Sequence, residues 1–285
     1  MTHAKQLGFW MCLALVIGNM IGSGVFLLPA SLAPYGLNSV MGWVLTAIGS
    51  LLLASVFSVL SKAFPKEHGP YAYTRLAFGD LVGFISAWGY WVAVWVGNAA
   101  VATASVSYLS NLMPWIAEMP GASTVVTLGF VWLFTVINLR GAHETGTLQI
   151  VTTVLKLMPL LAVAGLGIFL AASGDTRLNT AALQQHTFTW DAVTASATLT
   201  LWAFLGLESA AVASEKVIDP ERNIPRATLW GTLIAAAVYV VSCTVVILLI
   251  PSDQLASSNA PFADAVSPFW GTGAGHWLAL FAAIS

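Results

Sequence analysis

The sequence predicts an all-α polytopic membrane protein, and three observations predict it. Of 285 residues, 58% are hydrophobic and only 8% are charged; a soluble domain carries about 25% charged residues. The apolar residues fall into segments long enough to span a bilayer, which takes about 20 residues in a helix. Two of those segments are interrupted at mid-depth by glycine and polar residues, where backbone that leaves the helix must face a cavity or a ligand.

Taken in order, the spans are Phe9–Leu28, Val40–Ser61, Leu81–Tyr108, Val125–Leu139, Ile150–Ala172, Ala192–Ala213 and Thr228–Ile250. An eighth apolar run begins near Trp277 and stops at Ser285, so the reading expects a fragment of a longer protein, incomplete at its C-terminus. The stretches 62–79 and 219–227 read as loops, as do 29–39, 109–124, 173–191 and 251–276. Lys and Arg alternate with the spans. Lys5, Lys62, Lys66, Arg75, Arg140, Lys216, Arg222 and Arg226 lie on one side and Arg177 on the other. Cytoplasmic loops are enriched in these residues, which predicts a cytoplasmic N-terminus. Net charge is −2, which points to no nucleic-acid partner. Cys12 and Cys243 lie inside apolar segments and suggest neither a disulfide framework nor a metal site.

The first span contains Gly18-Asn19-Met20-Ile21-Gly22-Ser23-Gly24. One reading is a break that forms a binding site, since glycine-interrupted spans mark transporter sites. The other is a small-residue packing patch, for which Gly18 and Gly22 have the spacing. The sixth span contains Trp202-Ala203-Phe204-Leu205-Gly206-Leu207-Glu208-Ser209. An ionisable residue at that depth marks function, although a structural hydrogen bond or an ion pair would also use it. Helices one and six are five apart. Five spans per repeat make them equivalent elements of two inverted halves, a first repeat over about 9–172 and a partial second over about 192–285, in one transmembrane domain covering 1–285.

These stretches resemble the helix-one and helix-six signatures of the amino acid–polyamine–organocation transporters. Asp219-Pro220-Glu221-Arg222-Asn223-Ile224-Pro225-Arg226-Ala227 resembles the cytoplasmic loop motif of that family, and Gly69–Gly79 its second-to-third loop. The resemblance is closest to the basic amino acid/polyamine antiporters, such as the arginine–agmatine exchangers. It implies the first seven spans and part of the eighth of a twelve-span, five-plus-five inverted-repeat fold, in a bacterial inner membrane, with dimers among the relatives.

The expected site follows from substrate chemistry. A break exposes N–H groups at the start of its second half, where an anion is favoured. Ile21, Gly22, Ser23 and Gly24 are therefore expected around the α-carboxylate, with Ser23 adding a hydroxyl. The carbonyls near Gly18-Asn19 and Ala203-Phe204 are expected to take the α-ammonium. Trp202 offers an indole face for a cationic side chain, and the resemblance makes it a gate. Phe204 lies beside it. The resemblance puts Tyr90 at a gate and Ala93 and Asn98 near the substrate side chain; each also reads as helix packing. Glu208 is a candidate for proton coupling. Lys156, read as about two turns into the fifth span, either snorkels to the interface or is an internal cation, which the resemblance implies stands in for sodium. No catalytic residues, cofactor or metal are expected, because none of the usual catalytic motifs is present. The expected activity is antiport of arginine, lysine or ornithine against its decarboxylated amine. Proton-coupled uptake of neutral amino acids is the alternative.

Overall fold

The computed structural model describes residues 7–65, 67, 69–139, 142–179 and 187–284, with side chains omitted at 23–24, 111, 142–148 and 284. Lys5, Lys66, Arg140 and the Ser23 hydroxyl of the sequence reading lie outside what is described.

Among the described residues, seven helices are long and apolar enough to cross a membrane: Phe9–Tyr35, Leu37–Ala63, Asp80–Ser110, Ala122–Leu139, Gln149–Ser173, Trp190–Val212 and Pro220–Leu249. They correspond one to one with the expected spans. The first is broken into α1 (Phe9–Met20) and α2 (Ser23–Leu32). After α3 (Leu37–Ala63), a short α4 (Gly69–Phe78) occupies what read as a loop. The chain continues through α5 (Asp80–Leu112), a one-turn α6 (Trp115–Glu118), α7 (Ala122–Leu139) and α8 (Ala142–Ser173). The sixth span comprises α9 (Trp190–Leu201), a 3-10 turn over Trp202–Phe204, and α10 (Ser209–Val212). It is followed by α11 (Pro220–Leu249) and by α12 (Ser252–Ala256), α13 (Pro261–Trp270) and α14 (Thr272–Ile284).

Two further expectations are corrected. The stretch 219–227 is a loop only at Asp219, because Pro220 takes the first helical position of α11, where a missing N–H costs nothing. The stretch 251–276 folds into α12, α13 and the start of α14. Lys156 lies about two turns into the fifth span, which starts at Gln149, while α8 itself starts at Ala142.

The core lies where α1, α2, α3, α8, α9 and α11 meet, around the fully buried Phe26, Trp43, Tyr108, Leu160, Phe204 and Tyr239. Apart from Trp43 and Asn38, the buried face of α3 is made of small residues, Ser39, Gly42, Thr46, Ala47, Ser50, Ala54, Ser58 and Ser61. Lipid is as apolar as leucine, so close backbone approach rather than the hydrophobic effect holds such helices together. Thr46 and Thr200 link α3 to α9 through their hydroxyls at 2.7 Å. By contrast α7 has no buried residue and leaves Leu128, Trp132 and Phe134 exposed, as suits a lipid-facing helix. Pro29 inside α2 removes the donor to the Val25 carbonyl. The Cys243 thiol donates there at 3.9 Å, which gives this buried cysteine a structural role.

Candidate functional site

The first break is short. Ile21 is extended (φ −77°, ψ 98°), with its N–H still bonded to the Ile17 carbonyl at 2.8 Å, and Gly22 is extended at φ −133°. No side chain caps α2. The first N–H groups of a helix have no partner within it, so this end presents donors and the positive end of the helix dipole. The two glycines of the patch do different work. A Cβ on Gly18 would lie 2.0 Å from Gln149 Nε2 and 2.4 Å from Thr153 Oγ1, so Gly18 is a packing glycine against α8. A Cβ on Gly22 would meet only Val101 at 3.6 Å; its role is to leave room. Gly18 thus fits the packing reading, and the break of the other reading is present at Ile21–Gly22.

The α1 end of the break is satisfied from α8. Lys156 is 8% exposed and donates from Nζ to the Gly18 carbonyl at 2.7 Å. Thr153 donates to the Ala14 carbonyl at 3.2 Å. A cation at a helix C-terminus is favoured by the dipole. This corrects two expectations: Lys156 does not snorkel, and the Gly18 carbonyl has a protein partner instead of standing free for a substrate ammonium.

The second break faces the first. Gly206 has φ +107°, a conformation that L side chains rarely adopt, and a Cβ there would lie 2.8 Å from the Asn19 carbonyl carbon. Asn19 Nδ2 donates to Ser209 Oγ at 2.8 Å, and Ser209 Oγ donates to the Gly206 carbonyl at 2.6 Å. The Gly206 N–H donates to Glu208 Oε2 at 3.2 Å. Glu208 is the residue that opens α10, as expected, and its carboxylate faces the Tyr90 hydroxyl.

A cavity of about 480 Å³ opens on the first break. Ile21, Gly22, Asn98 and Lys156 line it, together with Gly18 and Asn19. The remaining predicted residues do not share this wall. Phe204 is 1% exposed and packs its ring against Trp43 and Tyr239, facing the core. Trp202 is 37% exposed and its ring lies over Gly97 of α5, and Ala93 is exposed on α5. Ser23 and Gly24 open α2 at the break. Tyr90 lines a second cavity of about 430 Å³ with Leu15, Ser209, Glu215 and Lys216. Asn19 belongs to both walls. The sequence reading missed Gln149, Thr152, Asn138 and the Phe130–Phe134 pair, which complete the first wall. The polar set Gln149, Thr152, Thr153 and Lys156 recurs at helical spacing within an apolar segment, a signal open to inspection. Among the described residues, no three His, Cys, Asp or Glu side chains gather.

Apolar spans enclosing two unwound helices that face each other across the bundle are the construction of secondary transporters. The family model for amino acid permeases matches residues 7–285, and the chain belongs to that family. It is 37% identical over 290 residues to the cadaverine/lysine antiporter of Escherichia coli K12, an alignment that covers all of this chain and 63% of the relative. It is 36% identical over 264 residues to the putrescine transporter PotE of the same organism, covering 92% and 60%. PotE of Haemophilus influenzae is 35% identical, covering 92% and 59%. The chain thus spans less than two thirds of the curated relatives it matches. With seven apolar spans and this family, it is a multi-pass membrane protein.

Proposed function

We propose that the protein exchanges a cationic amino acid for its decarboxylated amine across the membrane, with lysine and cadaverine as the first pair to test. The observation that carries this reading is the pair of facing breaks, with Gly206 seated on the Asn19 backbone beside a cavity. The uncapped start of α2 suits an α-carboxylate, and removing that carboxylate gives the amine partner of the exchange. The relatives support lysine, cadaverine and putrescine chemistry more directly than the arginine–agmatine pair of the sequence reading, and they favour antiport over neutral amino acid uptake.

In this reading the substrate carboxylate sits at Ile21–Gly24. Asn98 contacts the substrate, and Trp202 reaches it once the helices rearrange from the state described. Ala93 belongs to the same proposed rim. Tyr90 and Glu208 gate the second cavity, with Glu208 carrying a proton. Lys156 is the internal cation that holds the end of α1, a role that needs no sodium. Two inverted repeats, an N-terminus in the cytoplasm of a bacterial inner membrane, and a homodimer complete the proposal. The test is uptake of labelled lysine into proteoliposomes. Uptake stimulated by internal cadaverine supports exchange. Equal uptake without internal amine overturns it, and uptake of alanine in preference to lysine favours the neutral alternative.

A further inference from the structure

Where α3 packs on α11, polar groups are buried that neither cavity uses. Trp43 and Ser50 of α3 and Thr228, Thr232 and Tyr239 of α11 are each at most 1% exposed. The indole N–H, the phenol and the three hydroxyls have no hydrogen-bond partner among the described residues. Other hydroxyls of the same helices are satisfied. Thr46 bonds the Gly42 carbonyl and the Thr200 hydroxyl, and Thr244 donates to the Val240 carbonyl at 2.6 Å. A serine or threonine can meet its need by turning onto its own helix in this way. Trp43 and Tyr239 have no such escape. Their ring centres are 5.6 Å apart and Phe204 lies edge-on to both, so neither polar edge can swing to a backbone carbonyl without undoing the cluster.

The two helices run antiparallel. Ser252 Oγ, just past the end of α11, donates to the Ala33 carbonyl, just before α3, at 2.9 Å. With Trp43 against Tyr239, about two turns along α3 reach Ser50, and about two turns back along α11 reach Thr232. These two hydroxyls therefore sit at one level, about 10 Å from the aromatic pair, with Thr228 about one turn beyond. The buried side chains between the two levels include Ala47, Ala235 and Ala236, each a single methyl. A buried polar atom without a partner costs about as much as a lost hydrogen bond, and the bilayer core offers no bulk water to satisfy it. Methyl-sized neighbours leave room for an internal water, which takes about two to four polar partners.

We propose that ordered water occupies the interface of α3 and α11, held by the Trp43 indole N–H and the Tyr239 hydroxyl at one level and by the Ser50 and Thr232 hydroxyls at the other. The chemistry of the groups selects this ligand. All of them are uncharged, so an ion finds no matching charge. The indole only donates, whereas the hydroxyls both donate and accept, and water supplies both functions in the smallest volume. The seam then differs from the contact of α3 with α9, where Thr46 and Thr200 bond each other directly. One neighbour is fixed to α3 by protein alone, the other through an exchangeable solvent molecule. Such a water is independent of any substrate.

The experiment is X-ray radiolytic labelling of the chain in nanodiscs, read at single residues by mass spectrometry. Hydroxyl radicals form from water, so a side chain sealed from bulk solvent is oxidised only where water is bound beside it. Tyr108 is the matched control. It is as buried as Tyr239, but its hydroxyl already donates to the Phe26 carbonyl at 2.7 Å. Tyr239 is expected to be oxidised about tenfold faster than Tyr108, because a resident water lies beside one and not the other. Equal rates at the two tyrosines, whatever their level, overturn the proposal. Trp43→Phe keeps a ring and removes the donor, and is expected to slow oxidation of Tyr239 about threefold; a rate that does not fall overturns the shared site. The second level is read with a near-isosteric reporter. Ser50→Cys is expected to be oxidised about tenfold faster than Ser39→Cys, since Ser39 is equally buried and already donates to the Gly36 carbonyl at 2.6 Å. Equal rates at these two cysteines show that the hydroxyls of that level turn onto their own helices, which overturns the water placed there. Where a variant is not monodisperse, the ratio of Tyr239 to Tyr108 in the parent chain decides.

Discussion

The two breaks look alike in the sequence and are maintained by opposite means. The break in helix six is built from its own residues. Gly206 supplies a backbone conformation closed to other residues, Glu208 accepts from the Gly206 N–H, and Ser209 donates to the Gly206 carbonyl. The break in helix one has ordinary negative φ angles and is held from outside, by Lys156 and Thr153 of α8 and by Asn19 reaching across to Ser209. The larger of the two cavities described opens on helix one, and the other is lined by Ser209 of helix six together with Asn19.

Substitutions sharpen this contrast, and the largest effect belongs to Gly206→Ala. Strain at positive φ and a backbone clash at 2.8 Å combine there. Together they are expected to cost about 3 kcal/mol, seen as a clear fall in melting temperature in detergent. An unchanged melting temperature would refute the idea that the close approach to Asn19 matters. Lys156→Ala comes next. Transport is expected to fall about tenfold or more with normal membrane insertion, since an internal helix C-terminus loses its charge partner; full activity sinks the internal-cation role. Asn19→Leu and Ser209→Ala are expected to show a coupling of about 1 kcal/mol in a double-mutant cycle, and additive effects would show that the two breaks are independent. Glu208→Gln keeps an oxygen for the Gly206 N–H, so folding is expected to persist while the pH profile of transport flattens; an unchanged profile removes Glu208 from proton coupling. Gly22→Ala should be the mildest for stability, within about 0.5 kcal/mol, because its Cβ has room. Its effect is expected on apparent substrate affinity, measured by KM in the exchange assay.

Much of this was legible before any coordinates. The seven spans follow from apolar length, and both breaks follow from glycine and polar residues at mid-span. Ile21, Gly22, Asn98 and Lys156 line one cavity; Asn98 is singled out by the family resemblance, and that Lys156 faces the same space was not foreseen. Phe204 misled because an aromatic beside a break reads the same whether it faces a ligand or the core; its packing on Trp43 and Tyr239 depends on α3 and α11. The start of α8 at Ala142 was missed because it lies eight residues before the apolar run that marks the span. The helices α4, α12 and α13 were missed because helices of five to ten residues carry no long apolar signal.

The sequence by itself determined the membrane class, the number of spans and the places where helix one and helix six must unwind, because these depend on local composition and on propensities that act within a turn or two. Tertiary structure decided which glycine packs and which leaves space, which carbonyl Lys156 takes, and that the two breaks touch. Those outcomes rest on pairs such as Asn19 with Ser209, 190 positions apart, and Lys156 with Gly18, 138 apart. No local rule reaches that far; only the packing of apolar helices against one another brings such groups within hydrogen-bonding distance.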